Sequence, residues 1–334
     1  MKSLLFICVA SIFFMGSLQA KQIKVGFLLS TMQEERYQKD KKYFEAEVKR
    51  LGGDVVFNSA RNSERVQVKK LENMLLKGVD VVVIQPVNSN AASTLAELAA
   101  ESNVPVIAYD RLIKNAKIAA YVTQDSVAVG RIQAEEMVRQ KGEKGRVVLL
   151  QGQSGHSVAN AISKGVKDVL NRYPNIEIVV EKSHDNWSPA LAMATVENAL
   201  TKHKGNITAV IANNSGMANG AVQAIADYDE KLLGKIFVAG ADADLAAVKN
   251  ILAGHQQFEV LKDFRLLAEK SAQVAITLAK TGKIPATSDS IDNNKIKVPV
   301  FNTAVFPVTS ETIDSIVIGR GFHSKADVYG RKSH

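Results

Sequence analysis

Two rhythms of apolar and polar positions take turns along this chain. Ile23 to Leu29 is a short apolar run that predicts a buried strand. A charged stretch with helical spacing follows, roughly Glu34 to Leu51, and Gly52-Gly53 stops it. Asp54 to Asn58 predicts a second strand. Asn62 then caps a helix running to about Lys77, with Val66, Leu71, Met74 and Leu75 on its inner face. Val79 to Ile84 is continuous and β-branched, as strands buried on both faces are. Ala91 to Glu101 predicts a helix and Val104 to Tyr109 a fourth strand.

The pattern then restarts. Ala119 to Val122 is short and extended, and Ser126 to Lys141 is a helix. Strands are predicted at Arg146–Leu150, Ile176–Glu181, Ala209–Ala212 and Ile236–Ala239. Between them fall helices near Ala161–Arg172, Pro189–Lys202, Ala218–Tyr228 and Leu245–Leu252. Phe264 to Thr281 is a further amphipathic helix, Lys297 to Phe301 and Val305 to Val308 are extended, and the tail after Ile313 is polar. Strands alternating with helices at this spacing imply parallel sheets joined by right-handed crossovers. There are two such sets, one before about Thr123 and one after. The expectation is an α/β protein of two lobes with a cleft between them.

Length agrees, since 334 residues exceed the usual single core. With 46% hydrophobic and 23% charged residues, the composition is that of a globular protein. Residues 1–20 stand apart. Lys2 precedes an apolar core from Leu4 to Met15, and Gly16-Ser17-Leu18-Gln19-Ala20 offers a cleavage stretch, so this segment reads as a secretory signal peptide. The single cysteine, Cys8, lies within it, which leaves the rest of the chain without disulfide or thiol chemistry. The formal net charge is +8, but the basic residues are interleaved with acids, as in Lys39-Asp40-Lys41-Lys42-Tyr43-Phe44-Glu45. Such interleaving suits a solvated helix face better than a nucleic-acid surface.

Polar residues collect where the predicted strands end. Asp110-Arg111 follows the fourth strand, and on residues alone the pair fits a surface ion pair and a ligand grip equally well. Arg36-Tyr37 follows the first strand. In the second set come Gln124-Asp125-Ser126, the loop Ser154 to Asn160, His184-Asp185-Asn186-Trp187, Asn213-Asn214-Ser215, Asp242-Ala243-Asp244 and Lys262. Open parallel sheets bind ligands at the carboxyl ends of their strands. Asp125, Asn186 and Asp244 also fit simple helix N-caps, Trp187 a core position and Lys262 a surface charge. The collection as a whole suits a sugar, whose hydroxyls donate and accept and whose C–H faces stack on aromatic rings. Six to ten hydrogen bonds of about 0.5–1.5 kcal/mol each, with two aromatic faces, reach micromolar affinity, about −8.2 kcal/mol.

Several chemistries lack their motifs. No G-x-G-x-x-G or Walker loop and no G-x-S-x-G elbow occurs. The histidines at 156, 184, 203, 255, 323 and 334 show no metal-ligand spacing and read mostly as surface residues. No helix-turn-helix precedes the first strand. No catalytic residue, metal or cofactor is therefore assigned.

The segments Glu35-Arg36-Tyr37-Gln38-Lys39-Asp40, Gly78-Val79-Asp80-Val81 with Gln85-Pro86, Ala108 to Ile113, Gly240 to Leu245 and Gly321-Phe322-His323 carry a resemblance. The chain is similar to periplasmic sugar-binding proteins of ABC importers, the ribose/galactose type, and within them to the xylose-binding branch. The resemblance implies two doubly wound lobes joined by a three-segment hinge, the type I periplasmic binding protein fold. It implies a first lobe of residues 21–123 plus 263–304 and a second of 124–262 plus 305–334. It implies substrate contacts from Arg36, Tyr37, Asp110 and Arg111 in the first lobe and from Trp187, Asn214, Asp242 and Lys262 in the second, with Tyr37 in place of the usual Trp and facing Trp187. Three positions depart from the family pattern. His156-Ser157-Val158-Ala159 stands for Asp-Asn-Asn-Ala, Asn214-Ser215 for Asn-Asp, and Gln124 for an aromatic. Ser157 and Asn160 are candidates to offset the first of these.

The leading expectation is thus a periplasmic, monomeric receptor that closes on one monosaccharide, xylose or a related aldose, and presents it to an ABC permease at the inner membrane. A sugar or autoinducer sensor working through a chemoreceptor has the same fold and is the alternative. An enzyme is not expected, because no nucleophile–base set emerges, and nucleic acid is not an expected partner.

Overall fold

We describe residues 22–330 of a computed structural model. The expected signal peptide and Cys8 lie outside these residues. From the first strand onward the elements are β1 (Ile23–Leu29), α1 (Arg36–Arg50), β2 (Gly53–Ser59), α2 (Glu64–Leu76), β3 (Val81–Ile84), α3 (Ser93–Glu101), β4 (Val106–Tyr109) and β5 (Ala120–Gln124). The alternation continues with α4 (Ser126–Lys141), β6 (Lys144–Gln151), α5 (Ser157–Leu170), β7 (Asn175–Ser183), α6 (Pro189–Lys202), β8 (Ala209–Ala212), α7 (Ser215–Tyr228), β9 (Phe237–Ala241), α8 (Leu245–Leu252) and β10 (Phe258–Lys262). The chain ends with α9 (Phe264–Thr281), β11 (Ser290–Asp292), β12 (Lys297–Thr303), β13 (Val305–Val308), a π-helical turn Ile313–Ile318 and α10 (Lys325–Tyr329).

The strands form two sheets. One has the order β11-β12-β5-β4-β3-β1-β2 and the other β13-β10-β9-β8-β6-β7. Within each, five parallel strands repeat one order, β2-β1-β3-β4-β5 and β7-β6-β8-β9-β10, which is the doubly wound arrangement. The antiparallel pairings, β11 with β12 and β10 with β13, lie at the sheet edges. The chain passes between sheets three times, after β5, after β10 and after β12. These strands are continuously apolar because helices cover both faces; Val81–Ile84 and Ala209–Ala212 are fully buried.

Each sheet carries its own apolar core. In the first lobe Phe27, Phe44, Tyr109 and Val122 pack against Leu267, Ala272 and Val274 of α9, so this late helix completes a core begun at residue 25. In the second, Val148, Leu149, Ile211 and Phe237 pack against Ile162, Val196 and Met217.

Several expectations are corrected. Ser63, not Asn62, caps α2, its hydroxyl accepting from the Val66 amide at 3.3 Å. Asn62 has φ of 56° and reaches instead to the other lobe. Asn186 caps nothing; it sits in a 3-10 turn with φ of 54°, and Ser188 caps α6. Asp244 precedes α8 without a capping bond, whereas Asp125 does cap α4, accepting from Ala128 at 2.9 Å. The tail is not simply polar: Ile313, Val317, Phe322 and Val328 are buried against Val248, Leu261 and Phe264. Their wide spacing among polar residues hid this small core.

Candidate functional site

The ends of β1, β4, β9 and β10 meet where the lobes touch. Asp110 leaves β4 with φ of 61°, a left-handed turn held because its amide donates to Val122 and its carbonyl accepts from Tyr121 Oη at 2.7 Å and Thr123 Oγ1 at 3.1 Å. That turn aims the carboxylate at Arg36 Nη1, which donates to Oδ1 at 3.4 Å and lies 3.3 Å from Oδ2, while Gln85 Nε2 donates to Oδ2 at 2.8 Å. Burial alone would raise the Asp110 carboxyl, but Arg36, Lys262 and Arg111 outweigh it and hold it below its ordinary range.

Arg36 lies in the first turn of α1, 4% exposed. Its Nε donates to Asp40 Oδ2 at 3.2 Å, and its guanidinium covers the Phe264 ring at 4.1 Å. Asp40 also accepts from Tyr109 Oη, and burial lifts its carboxyl to about 6 against the pull of Arg36. Arg111 donates to Ser30 Oγ at 3.1 Å, to the Pro86 carbonyl at 3.2 Å and to Tyr37 Oη at 3.1 Å. Two donors in this group, Arg36 Nη2 and Arg111 Nε, are buried with no protein partner.

The second lobe answers with Asp242 and Lys262. Lys262 Nζ lies 2.7 Å from Asp242 Oδ1, and both side chains are almost wholly buried. The contact is an ion pair without hydrogen-bond geometry, which leaves lone pairs on that oxygen. Asn214 is buried too and caps α7, accepting from the Met217 amide at 2.9 Å. Trp187 is 5% exposed and rests on Gly152, where a Cβ would stand 2.4 Å from the ring.

His156 joins the halves. Trp187 Nε1, a donor only, gives its hydrogen to His156 Nδ1 at 2.8 Å. The proton of the neutral ring therefore sits on Nε2. Arg111 Nη1 lies 3.3 Å from that nitrogen, so the Arg111–His156 contact sets donor against donor. Burial first, and the neighbouring Arg111 second, push the imidazole far below its usual value, and it is neutral. Sequence reading had placed the histidines mostly at the surface. Instead His156, His184 and His323 are buried, because each ring finds a backbone or side-chain partner.

Of the residues expected at the site, Arg36, Tyr37, Asp110, Arg111, Trp187, Asn214, Asp242 and Lys262 come together as buried groups at the junction. Tyr37 Oη accepts from Arg111 on one side of the junction and Trp187 Nε1 donates to His156 on the other, with the donor-against-donor Arg111–His156 contact between them. Ser157 lies at the junction in a different role, its hydroxyl accepting from the Leu112 amide across the lobes at 2.9 Å. Asn160 is not brought in: it is exposed, one turn along α5. Gln85, Glu34 and His156 were missed. The Gln85-Pro86 dipeptide was visible, but nothing in sequence says that its amide holds Asp110. Glu34 lines a cavity of about 490 Å³ with Trp187, Asn214 and Asp244, at the mouth between the lobes. Although part of its surface remains open, burial raises its carboxyl against Arg111 and Arg36. A larger cavity, about 650 Å³, lies at the hinge beside Gln124 and Asp289, away from the charged group.

The lobes touch along both rims of this cleft. Asn62 Nδ2 donates to Asn186 Oδ1 at 2.9 Å, the Leu245 amide to Glu35 at 3.3 Å, and the Ser157 amide to Ser89 Oγ at 3.3 Å. Among the described residues no cluster of three or more His, Cys, Asp or Glu is arranged to hold a metal ion, and no helix is long and apolar enough to cross a membrane.

A family profile for a periplasmic binding protein domain matches residues 25–284. The chain is 36% identical over 319 residues to the D-xylose-binding periplasmic protein of Haemophilus influenzae, covering 95% of each chain. It is 34% identical over 328 residues to the Escherichia coli protein of the same description, covering 97% of this chain and 98% of that one. Among solved structures it is similar to a carbohydrate transporter solute binding protein from Chloroflexus aurantiacus in complex with D-glucose. There the TM-score is 0.84 with 27% identity, over 92% of this chain and 98% of the other.

Proposed function

Since the chain belongs to the periplasmic binding protein family, we propose that its interlobe cleft binds one neutral monosaccharide, D-xylose or a related aldose, for delivery to an ABC permease. The observation that carries this reading is the pair of buried, unpartnered donors, Arg36 Nη2 and Arg111 Nε, beside the Asp110 and Asp242 carboxylates. A hydroxyl can accept from either guanidinium and donate to either carboxylate, so a polyol satisfies all four groups at once. An acidic ligand is disfavoured, because Glu34, Glu35, Asp185 and Asp244 line the mouth. The charged groups bind and do no chemistry, in keeping with relatives that are binding proteins.

On this reading the two lobes are the halves of a clamp. The bonds Asn62–Asn186, Leu245–Glu35 and Leu112–Ser157 form only when the halves meet, and a sugar shifts the equilibrium by its greater affinity for the closed form. Action in the periplasm and as a monomer belongs to the same proposal. Calorimetry with xylose, ribose, arabinose, glucose and galactose tests it. Micromolar or tighter binding of at least one pentose or hexose is expected; no heat with any of them rejects it.

A further inference from the structure

Asp242 owes its place to an unusual loop. Asp242 has φ of 104° and Ala243 φ of 55°, so two consecutive non-glycine residues occupy the left-handed side. Such a turn persists only where its surroundings over-determine it. Beneath it, on β10, lies Glu259, 0% exposed and aimed into a space that exists because position 240 is glycine: a Cβ there would stand 2.1 Å from Glu259 Oε1. Glu259 Oε2 accepts from the Ala243 amide at 3.1 Å and lies 2.8 Å from Ser215 Oγ. Oε1 accepts from Gln256 Nε2 at 2.7 Å.

Counting protons decides how this network closes. Ser215 has one hydroxyl hydrogen but two oxygens in reach, the Ala241 carbonyl at 2.9 Å and Glu259 Oε2 at 2.8 Å. It also accepts from the Asp244 amide at 3.2 Å. If Glu259 is ionised, Ser215 serves one oxygen and leaves the other short. With a proton on Oε2, Glu259 donates to Ser215, Ser215 donates to Ala241, and every group is satisfied.

We propose that Glu259 is the positioning residue of the Asp242 loop and acts as a neutral carboxylic acid, so that its deprotonation loosens the loop and weakens ligand binding. The role rests on the sugar reading of the cleft. Burial raises this carboxyl to about 8, against the bonds from Ala243, Ser215 and Gln256. The groups that face it are Ser215 from α7, Gly240 and the carboxylates Asp242 and Asp244 at the end of β9, Gln256 before β10 and Val308 across on β13. Asp242 pushes the carboxyl further up, and no lysine or arginine among the described residues pairs with it.

The test has two readouts. In the sugar-free protein, the side-chain carboxyl ¹³C resonance of Glu259 is expected to titrate near pH 8; an inflection in the ordinary carboxylate range, about 4.3, overturns the proposal. By calorimetry, sugar affinity is expected to fall about tenfold between pH 7.5 and 9.5, a fall within what linkage to one titrating group allows. Glu259→Gln is expected to bind several-fold more weakly at pH 7 but to lose this alkaline fall. A flat wild-type profile, or a fall that Glu259→Gln retains, overturns the role. Sugar binding that ignores pH rejects the role alone, whereas no binding of any sugar at any pH rejects the functional reading and the role with it.

Discussion

A lysine as deeply buried as Lys262 is tolerable only beside its counter-charge. Asp242→Ala removes that charge and strands an ammonium in a dry site. The expected cost is about 3–5 kcal/mol in stability, read from thermal or denaturant unfolding. Sugar affinity is expected to fall at least tenfold by calorimetry, and wild-type affinity in this variant removes Asp242 from the site. His156 gives a prediction in pH. Its pKa in the folded chain lies far below the ordinary value of about 6.5, so folding holds it neutral. The stability it contributes is full above pH 6.5 and is lost as pH falls below that value. The expected outcome is a melting temperature that declines in acid more steeply for wild type than for His156→Gln; equal slopes reject the assignment. At this scale the sequence made polar residues at strand ends conspicuous, because so many of them follow apolar runs, although Asp110-Arg111 alone fitted an ion pair as well as a grip. It did not reveal His156, Gln85 or Glu259, whose importance lies in partners 25 to 45 residues away in the chain. Asn160 shows the converse error: helix α5 runs away from the junction, so a residue one turn on points to solvent.

The elements themselves were largely legible, since buried parallel strands and amphipathic helices write different periods. The starts of α5 and α7 were read three or four residues late, because their first turns carry Ser157 and Asn214-Ser215 at the cleft and so resemble loop. Strand β11, three exposed residues with Ile291 its single apolar side chain, left no apolar run to read. How closely α4 and α5 pack was also invisible. Gly130 and Gly165 let the two helix backbones approach so nearly that a Cβ at 130 would stand 1.9 Å from the Ile162 carbonyl, and one at 165 would stand 2.1 Å from that of Val127. Gly130→Ala forces the helices apart and is expected to destabilise the second lobe by about 3 kcal/mol, the upper end for overpacking. An unfolding midpoint within about 0.5 kcal/mol of wild type contradicts this contact.

At the scale of the molecule, α9 and β12 finish the first lobe, whereas β13 and the tail finish the second. A chain ending at Thr303 strips Val308, Ile313, Val317 and Phe322 from Leu261 and Phe264. It is expected to lose sugar binding and to bind a dye specific for exposed apolar surface, while a truncated chain with wild-type affinity counts against this account. The repeated strand order made two lobes predictable from the sequence, but their interleaving enters only through the late strands. That interleaving has a consequence for how the protein is made. A ribosome delivers the chain from its N-terminus, and when residue 262 emerges the buried core of the second lobe, Val129 to Val260, has been delivered, but the first lobe still waits for Leu267 to Val274 and the small core under the tail for Val308. Contacts between the two ends of so long a chain form late and slowly. The nascent polypeptide is thus kept without a finished first lobe until translation is nearly over, so half of it stays in a state that can still be threaded through a narrow channel.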